Sequence, residues 1–222
     1  MRFVWLLQTA LILFLPPAVY VYRHRQDPPL AVKGAGLILA VMYVGFFGLF
    51  VIGETFTDPG GWTAVGVVAV WFVPMVLLSL LAWRRPAAAR PVLILLVVAM
   101  AAVNLWSAIA ADAWRSFEDD TGPVRGVITL TLAAPLAVLA MRYVREAGAL
   151  LLTLGMMPFV AALALHVTDD RWIPLSLAAL DAPLLVIALL FLVSAWLDGS
   201  ARRRPTPPGQ TSTTRNRAHT TG

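Results

Sequence analysis

Cysteine is absent from this chain, and charge is scarce: 13% of its 222 residues are Asp, Glu, Lys or Arg, against roughly a quarter in an ordinary soluble domain. Lack of cysteine excludes disulfides, thiolate nucleophiles, cysteine-ligated zinc and iron–sulfur clusters. Lack of charge, in a chain that is 59% hydrophobic, excludes a water-soluble globule. Lysine occurs once, at Lys33, so the last apolar run holds none for a retinal Schiff base. The histidines, His24, His166 and His219, are scattered too widely to hold a haem between two of them. Neither a G-x-x-x-x-G-K-[ST] loop nor an H-E-x-x-H helix is present, which removes P-loop phosphate binding and the usual membrane zinc-protease arrangement. Asp198-Gly199-Ser200-Ala201-Arg202 falls one residue short of the D-G-x-x-A-R signature of phospholipid-head-group transferases and lacks its downstream aspartates. No metal and no cofactor is expected.

What the sequence does contain is long apolar runs. A helix needs about 20 apolar residues to cross the ~30 Å hydrocarbon layer, and seven such runs follow one another: Val4–Tyr22, Leu30–Gly53, Trp62–Trp83, Pro91–Ala111, Val124–Met141, Ala147–His166 and Trp172–Leu197. The expected fold is therefore all-α, a polytopic membrane bundle of seven transmembrane helices. The first run ends in Pro16-Pro17 and the bulky Tyr20-Val21-Tyr22 rather than in a small-residue cleavage site, so it reads as a retained helix.

The formal net charge of +5 reads as topology, not as nucleic-acid binding. Arg23, Arg25 and Lys33, Arg84, Arg85 and Arg90, Arg142 and Arg145, and the arginines of the tail fall on one side of the bundle. Only Arg2, Arg115, Arg125 and Arg171 fall on the other. Lysine and arginine resist translocation, which puts the N-terminus outside and the C-terminus inside. Outer loops carry the acids Glu54, Asp58, Asp112, Glu118, Asp119, Asp120, Asp169 and Asp170. Residues 1–197 form the membrane domain. Residues 198–222, rich in Arg, Thr, Pro and Gly, bury too little to offset their ordering entropy and are expected to be a disordered basic cytoplasmic tail. Pro74 and Pro135 each stand ten residues before an arginine, Arg84 and Arg145, a weak hint of an internal repeat.

Prolines inside the runs, Pro16, Pro17, Pro74, Pro135, Pro158 and Pro183, remove backbone donors and kink helices. Asp181 is the most informative residue, nine positions beyond Trp172 and flanked by Leu180, Ala182, Pro183 and Leu184. At 1.5 Å per residue it lies on the order of 13 Å into its helix, where a charge costs at least ~2.5–3.5 kcal/mol. Such a carboxyl faces a polar cavity, keeps its proton as a general acid, or is satisfied structurally by a hydrogen bond to Asn104 or Ser107.

Glu54 ends the second run, and steps of 4, 7 and 11 residues back from it reach Phe50, Phe47 and Tyr43 on one helix face. Aromatic rings capped by a carboxylate suit a greasy, transiently cationic substrate. The competing reading is a lipid-facing stripe with an interfacial glutamate. Asn104 and Ser107, spaced i, i+3, make a polar stripe that serves as helix glue or as part of a site. Trp62, Trp83 and Trp172 sit at run ends and fit an interfacial belt, which leaves Trp71 and Trp106 as candidates for lining a pocket.

Seven helices in this length, with an acid ending the second and another in the last, resemble the small membrane-integral terpene cyclases of meroterpenoid and indole-terpenoid pathways. The resemblance is one of architecture and acid placement over residues 1–197, and many fungal members carry an Asn and a Trp where Val51-Ile52-Gly53 precedes Glu54 here. It implies a hydrophobic prenylated substrate whose alkene or epoxide is protonated, with Asp181 as acid, Glu54 assisting, and Tyr43, Phe47, Phe50, Trp71, Asn104 and Trp106 around the chain. Rival readings are a small proton-coupled transporter, with Asp181 as its coupling site, and a non-catalytic structural membrane protein. A composition rich in Leu, Ala, Val and Arg with one lysine suggests a high-GC bacterium and hence its plasma membrane.

Overall fold

The computed structural model describes residues 2–57, 61–110, 113, 116, 124–166 and 175–202, and their side chains except at 2–11, 54, 55, 57, 108, 161–166, 175–180 and 201–202. The expected outer-loop acids apart from Glu54, the start of the last run at Trp172, and the tail beyond Arg202 lie outside the described residues. Within them the chain is all-helical, with seven principal helices: α1 (Arg2–Arg23), α2 (Pro28–Thr57), α3 (Gly61–Arg84), α4 (Pro86–Ile109), α5 (Val124–Leu139), α6 (Val144–His166) and α7 (Leu175–Arg202). Four stretches, Pro28–Gly53, Gly61–Arg84, Pro86–Ser107 and Asp181–Ser200, are long and apolar enough to cross a membrane, which marks the protein as membrane-associated.

Each run expected from the sequence coincides with a helix, and the differences have local causes. Asp27 caps α2, its Oδ1 accepting from Leu30 N at 3.4 Å and its carbonyl from Ala31 N at 2.9 Å, so the helix starts before the apolar run does. Helix α4 starts at Pro86 rather than Pro91, because proline fits the first turn, where its missing N–H has no helical partner to lose. Arg90 is consequently on the helix and not in a loop, and its Nε pairs with Glu146 Oε2 of α6 at 2.6 Å. Helix α7 runs through Asp198 to Arg202, so the first residues of the expected tail are helical.

Helix α5 is the hub. Only 16 residues long, it packs against α2, α3, α4 and α6, and half of its residues are buried. Helix α7 lies along α6 and α2, and α1 packs on α2. Glycines set the close approaches. A β-carbon at Gly36 of α2 would stand 2.8 Å from Phe191 Cε1 of α7. On α6 a β-carbon at Gly148 would stand 3.2 Å from the backbone N of Leu192, and one at Gly155 3.0 Å from Leu185 Cδ2. These two glycines, seven residues apart, share one face and seat α7 against α6.

The surface is apolar and the interior holds the polarity. Val41, Val70 and Ile109 are strongly exposed, whereas the buried polar residues among those described are Asn104, Ser107, Thr129, Asp181 and Ser194. Water would reverse that distribution; hydrocarbon favours it. The positive end of the bundle is tied by Lys33 Nζ donating to Met141 O at 2.8 Å and by Ser194 Oγ donating to Pro29 O at 3.0 Å.

Candidate functional site

Helix register brings Asp181 to a defined level. Helices α2 and α7 are held antiparallel at two points, Pro29 with Ser194 and Gly36 with Phe191. Counting up from these points sets Asp181 beside the turn of α2 that carries Tyr43. Tyr43 is fully buried and Asp181 is 4% exposed, and the carboxyl acts electrostatically on the phenol. Along α6, the Gly148–Leu192 and Gly155–Leu185 contacts set Asp181 level with the buried Pro158.

Arg125 completes the charge arrangement. It is the second residue of the hub helix, half-buried, and its guanidinium acts on the Asp181 carboxyl. Its Nη1 also donates to Ser107 Oγ at 3.4 Å. One turn further on α5, Thr129 is buried on the same face. Asn104 and Ser107 use donors inside their own helix: Asn104 Nδ2 donates to Met100 O at 3.0 Å and Ser107 Oγ to Asn104 O at 2.8 Å. Neither is hydrogen-bonded to Asp181, so the structural pairing considered from the sequence does not form.

Three buried polar atoms near this end of the bundle have no partner: Tyr43 Oη, Trp71 Nε1 and Asn104 Oδ1. In a low-dielectric interior each such atom costs roughly 1–3 kcal/mol, so an unpaired set is a place where something else can bind. Trp71 packs its ring against α2, since a β-carbon at Gly48 would stand 3.5 Å from Trp71 Cη2. Tyr43 and Phe47 have ring centroids 5.0 Å apart.

Of the residues singled out from the sequence, Asp181, Tyr43, Trp71 and Asn104 are interior, and Phe47 packs half-buried against the core. Phe50 and Trp106 are 60% and 55% exposed and are not brought to the interior. Glu54 lies in the last turn of α2, and its side chain lies outside the described residues. Sequence reasoning missed Arg125 and Thr129 as site residues, having counted Arg125 only as an outer charge. The signal was the i, i+4 spacing of a cation and a hydroxyl at the start of the shortest apolar run.

Chemically, the arrangement offers a buried carboxyl on α7, a guanidinium on α5 that acts on it and a phenol on α2 within its field. Among the described residues no group of His, Asp and Glu is placed to hold a metal ion. No known protein family, no characterised protein and no solved structure matches the chain.

Proposed function

We propose that the protein is a seven-span membrane enzyme, N-terminus outside and C-terminus inside, that cyclises a prenylated hydrophobic substrate by protonating it. The observation that carries this reading is the Asp181 carboxyl, 4% exposed within an apolar helical bundle, whose field reaches the buried Tyr43 phenol. Asp181 is the acid. Its proton adds to a terminal alkene carbon, or to an epoxide oxygen whose C–O bond then breaks, leaving a tertiary cation. An internal alkene supplies the electron pair for the new C–C bond, and loss of a proton to the carboxylate closes the cycle without any redox partner. Tyr43, Phe47 and Trp71 present ring faces that stabilise positive charge along the chain. Glu54 assists from the end of α2, and the protein resides in a bacterial plasma membrane.

The deciding experiment is Asp181→Asn, which keeps the side-chain volume and removes the acid. With the protein in lipid nanodiscs and prenylated phenols or epoxides as substrates, the variant remains inserted and folded but forms no cyclic product. Unchanged product formation would remove Asp181 from the mechanism.

A second reading is favoured by one observation, the action of Arg125 on Asp181 between two different helices. In a proton-coupled transporter such a pair would part when the carboxyl takes up a proton. Proton flux in sealed vesicles that depends on a co-transported solute, with no chemical change in that solute, would favour this reading over the enzyme.

A further inference from the structure

At the positive end of the bundle, cations from α2, α4 and the α5–α6 turn come together. Lys33 of α2 donates through Nζ to Met141 O, in that turn, at 2.8 Å. Bond lengths fix the carbonyl oxygen close to the next residue, so the ammonium stands within about 6 Å of the Arg142 backbone. Arg145 follows in the first turn of α6, and both arginines are exposed. Arg90 of α4 reaches the same turn, its Nε 2.6 Å from Glu146 Oε2 and its Cζ 5.9 Å from the centroid of the Tyr143 ring.

These charges do not cancel. Glu146 is taken by Arg90 and Asp27 caps α2. Asp198 lies two residues beyond Trp196, on the opposite side of α7 from it. Lys33, Arg142 and Arg145 have no carboxylate partner among the described residues. The Lys33 ammonium and the Arg142 backbone are closer than the ~8 Å Debye length of physiological salt, so the cations act as one patch on an anion beside them.

The level of the patch follows from helix register. The contact between Gly148 and Leu192 sets α7 against α6, and one turn further along α7 Trp196 stands level with Val144, where α6 begins. Its indole is 70% exposed, and Met141, next to Arg142, is exposed as well. An exposed indole at the end of an apolar helix suits the boundary between hydrocarbon and head groups. Lys33 lies within the apolar stretch Pro28–Gly53, five residues from its start, and so on the membrane side of the helix end.

We infer that this patch binds the head group of an anionic phospholipid, drawn to Lys33, Arg142 and Arg145, with Met141 and Trp196 against the upper part of its acyl chains. A zwitterionic lipid carries the same phosphate, but its own cation cancels the charge, so the patch selects the anionic lipid. A lipid is favoured over an acidic protein or a nucleic acid because Lys33 stands inside an apolar stretch and exposed apolar side chains flank the arginines. Trp196 is fifteen residues from Asp181, about 22 Å along α7, so the inference stands apart from the proposed function.

The test is native mass spectrometry of the full chain released from mixed micelles that hold equal amounts of phosphatidylglycerol and phosphatidylcholine with identical acyl chains. Wild type is expected to retain phosphatidylglycerol about tenfold or more over phosphatidylcholine, since each surface cation contributes about fivefold. Arg142→Gln with Arg145→Gln is expected to lower that preference at least about fivefold. Arg23→Gln with Arg25→Gln, which removes the same charge from the α1–α2 turn, leaves it unchanged. Equal retention of the two lipids by wild type overturns the inference, and that comparison needs no variant to fold. Equal losses in the two double variants also overturn it, since the attraction would then belong to the whole end of the bundle and not to this patch. Wild type that shows no lipid preference but binds polyglutamate or an oligonucleotide in phosphatidylcholine nanodiscs would make the patch a docking surface for a macromolecule, and the inference would fall.

Discussion

Arg125, at the start of the hub helix α5, acts electrostatically on Asp181, buried in α7, and the same guanidinium holds Ser107 of α4 at 3.4 Å. Helices α5 and α7 do not pack closely along their length; each instead packs on α2 and α6. The electrostatic action of Arg125 therefore links α5 and α7, two elements otherwise connected through third parties.

Removing either partner should accordingly cost more than removing both. Arg125→Leu removes that electrostatic action together with the hydrogen bond to Ser107 Oγ and is expected to destabilise the protein by about 1 kcal/mol, the scale of one hydrogen bond. Asp181→Asn with Arg125→Leu should recover at least ~0.5 kcal/mol of that loss, as coupled neighbours do. Reversible unfolding in mixed micelles of the four proteins in the cycle measures this coupling, and strictly additive losses would show that the two groups act independently.

How much of this was readable beforehand follows from which forces act locally. Apolar run length and the scarcity of charge are properties of the chain itself, so every helix coincides with an expected run. The ends moved where a short-range hydrogen bond or a proline decided them, as at Asp27 and Pro86. Asp181 stood out because a carboxyl that deep in an apolar run is costly and so calls for a specific role. Phe50 and Trp106 did not join the interior, although helix periodicity placed Phe50 on the same face as Tyr43. Periodicity says which residues share a face, not where along its length a neighbouring helix covers that face. Arg125 was hidden for the converse reason: its role depends on Ser107 and Asp181, distant in sequence and joined only by the packing of α4, α5 and α7.

The glycines that seat α7 against α6 differ in what they face. At Gly148 an added methyl meets the backbone nitrogen of Leu192 at 3.2 Å, which can move only if the helix moves. At Gly155 it meets the tip of the Leu185 side chain at 3.0 Å, which can change rotamer. Gly148→Ala is expected to cost about 1–3 kcal/mol, the scale of overpacking a tight contact, and Gly155→Ala less. Gly45→Ala, with nothing within 4 Å of the new methyl, serves as the neutral reference. Equal stabilities for the Gly148 and Gly155 variants in the same unfolding assay would contradict this account of the α6–α7 contact.

Tyr43→Phe removes a buried hydroxyl that has no hydrogen-bond partner. Deleting an unsatisfied polar atom removes its desolvation cost, so the variant is expected to be as stable as the wild type or more stable by about 1 kcal/mol. If the hydroxyl serves a bound substrate, the same variant loses turnover while gaining stability. A Tyr43→Phe protein that loses both stability and turnover would mean instead that the hydroxyl has a structural partner.

The proposed orientation is the premise on which access to Asp181 depends, and it is open to a direct check. Arg125 and Ser107 lie within a few residues of the ends of α5 and α4 that the charge distribution assigns to the outside. Reporter fusions after Arg85, in the turn between α3 and α4, and after Gly60, between α2 and α3, should report opposite sides, with the Arg85 fusion in the cytoplasm. A cytoplasmic Gly60 with an external Arg85 would invert the protein and make Arg125 face the cell interior. On the proposed function, the proton that Asp181 donates would then be replaced from the cytoplasm. Both fusions on one side would mean that α3 does not cross the bilayer, and the seven-span arrangement would fall with it.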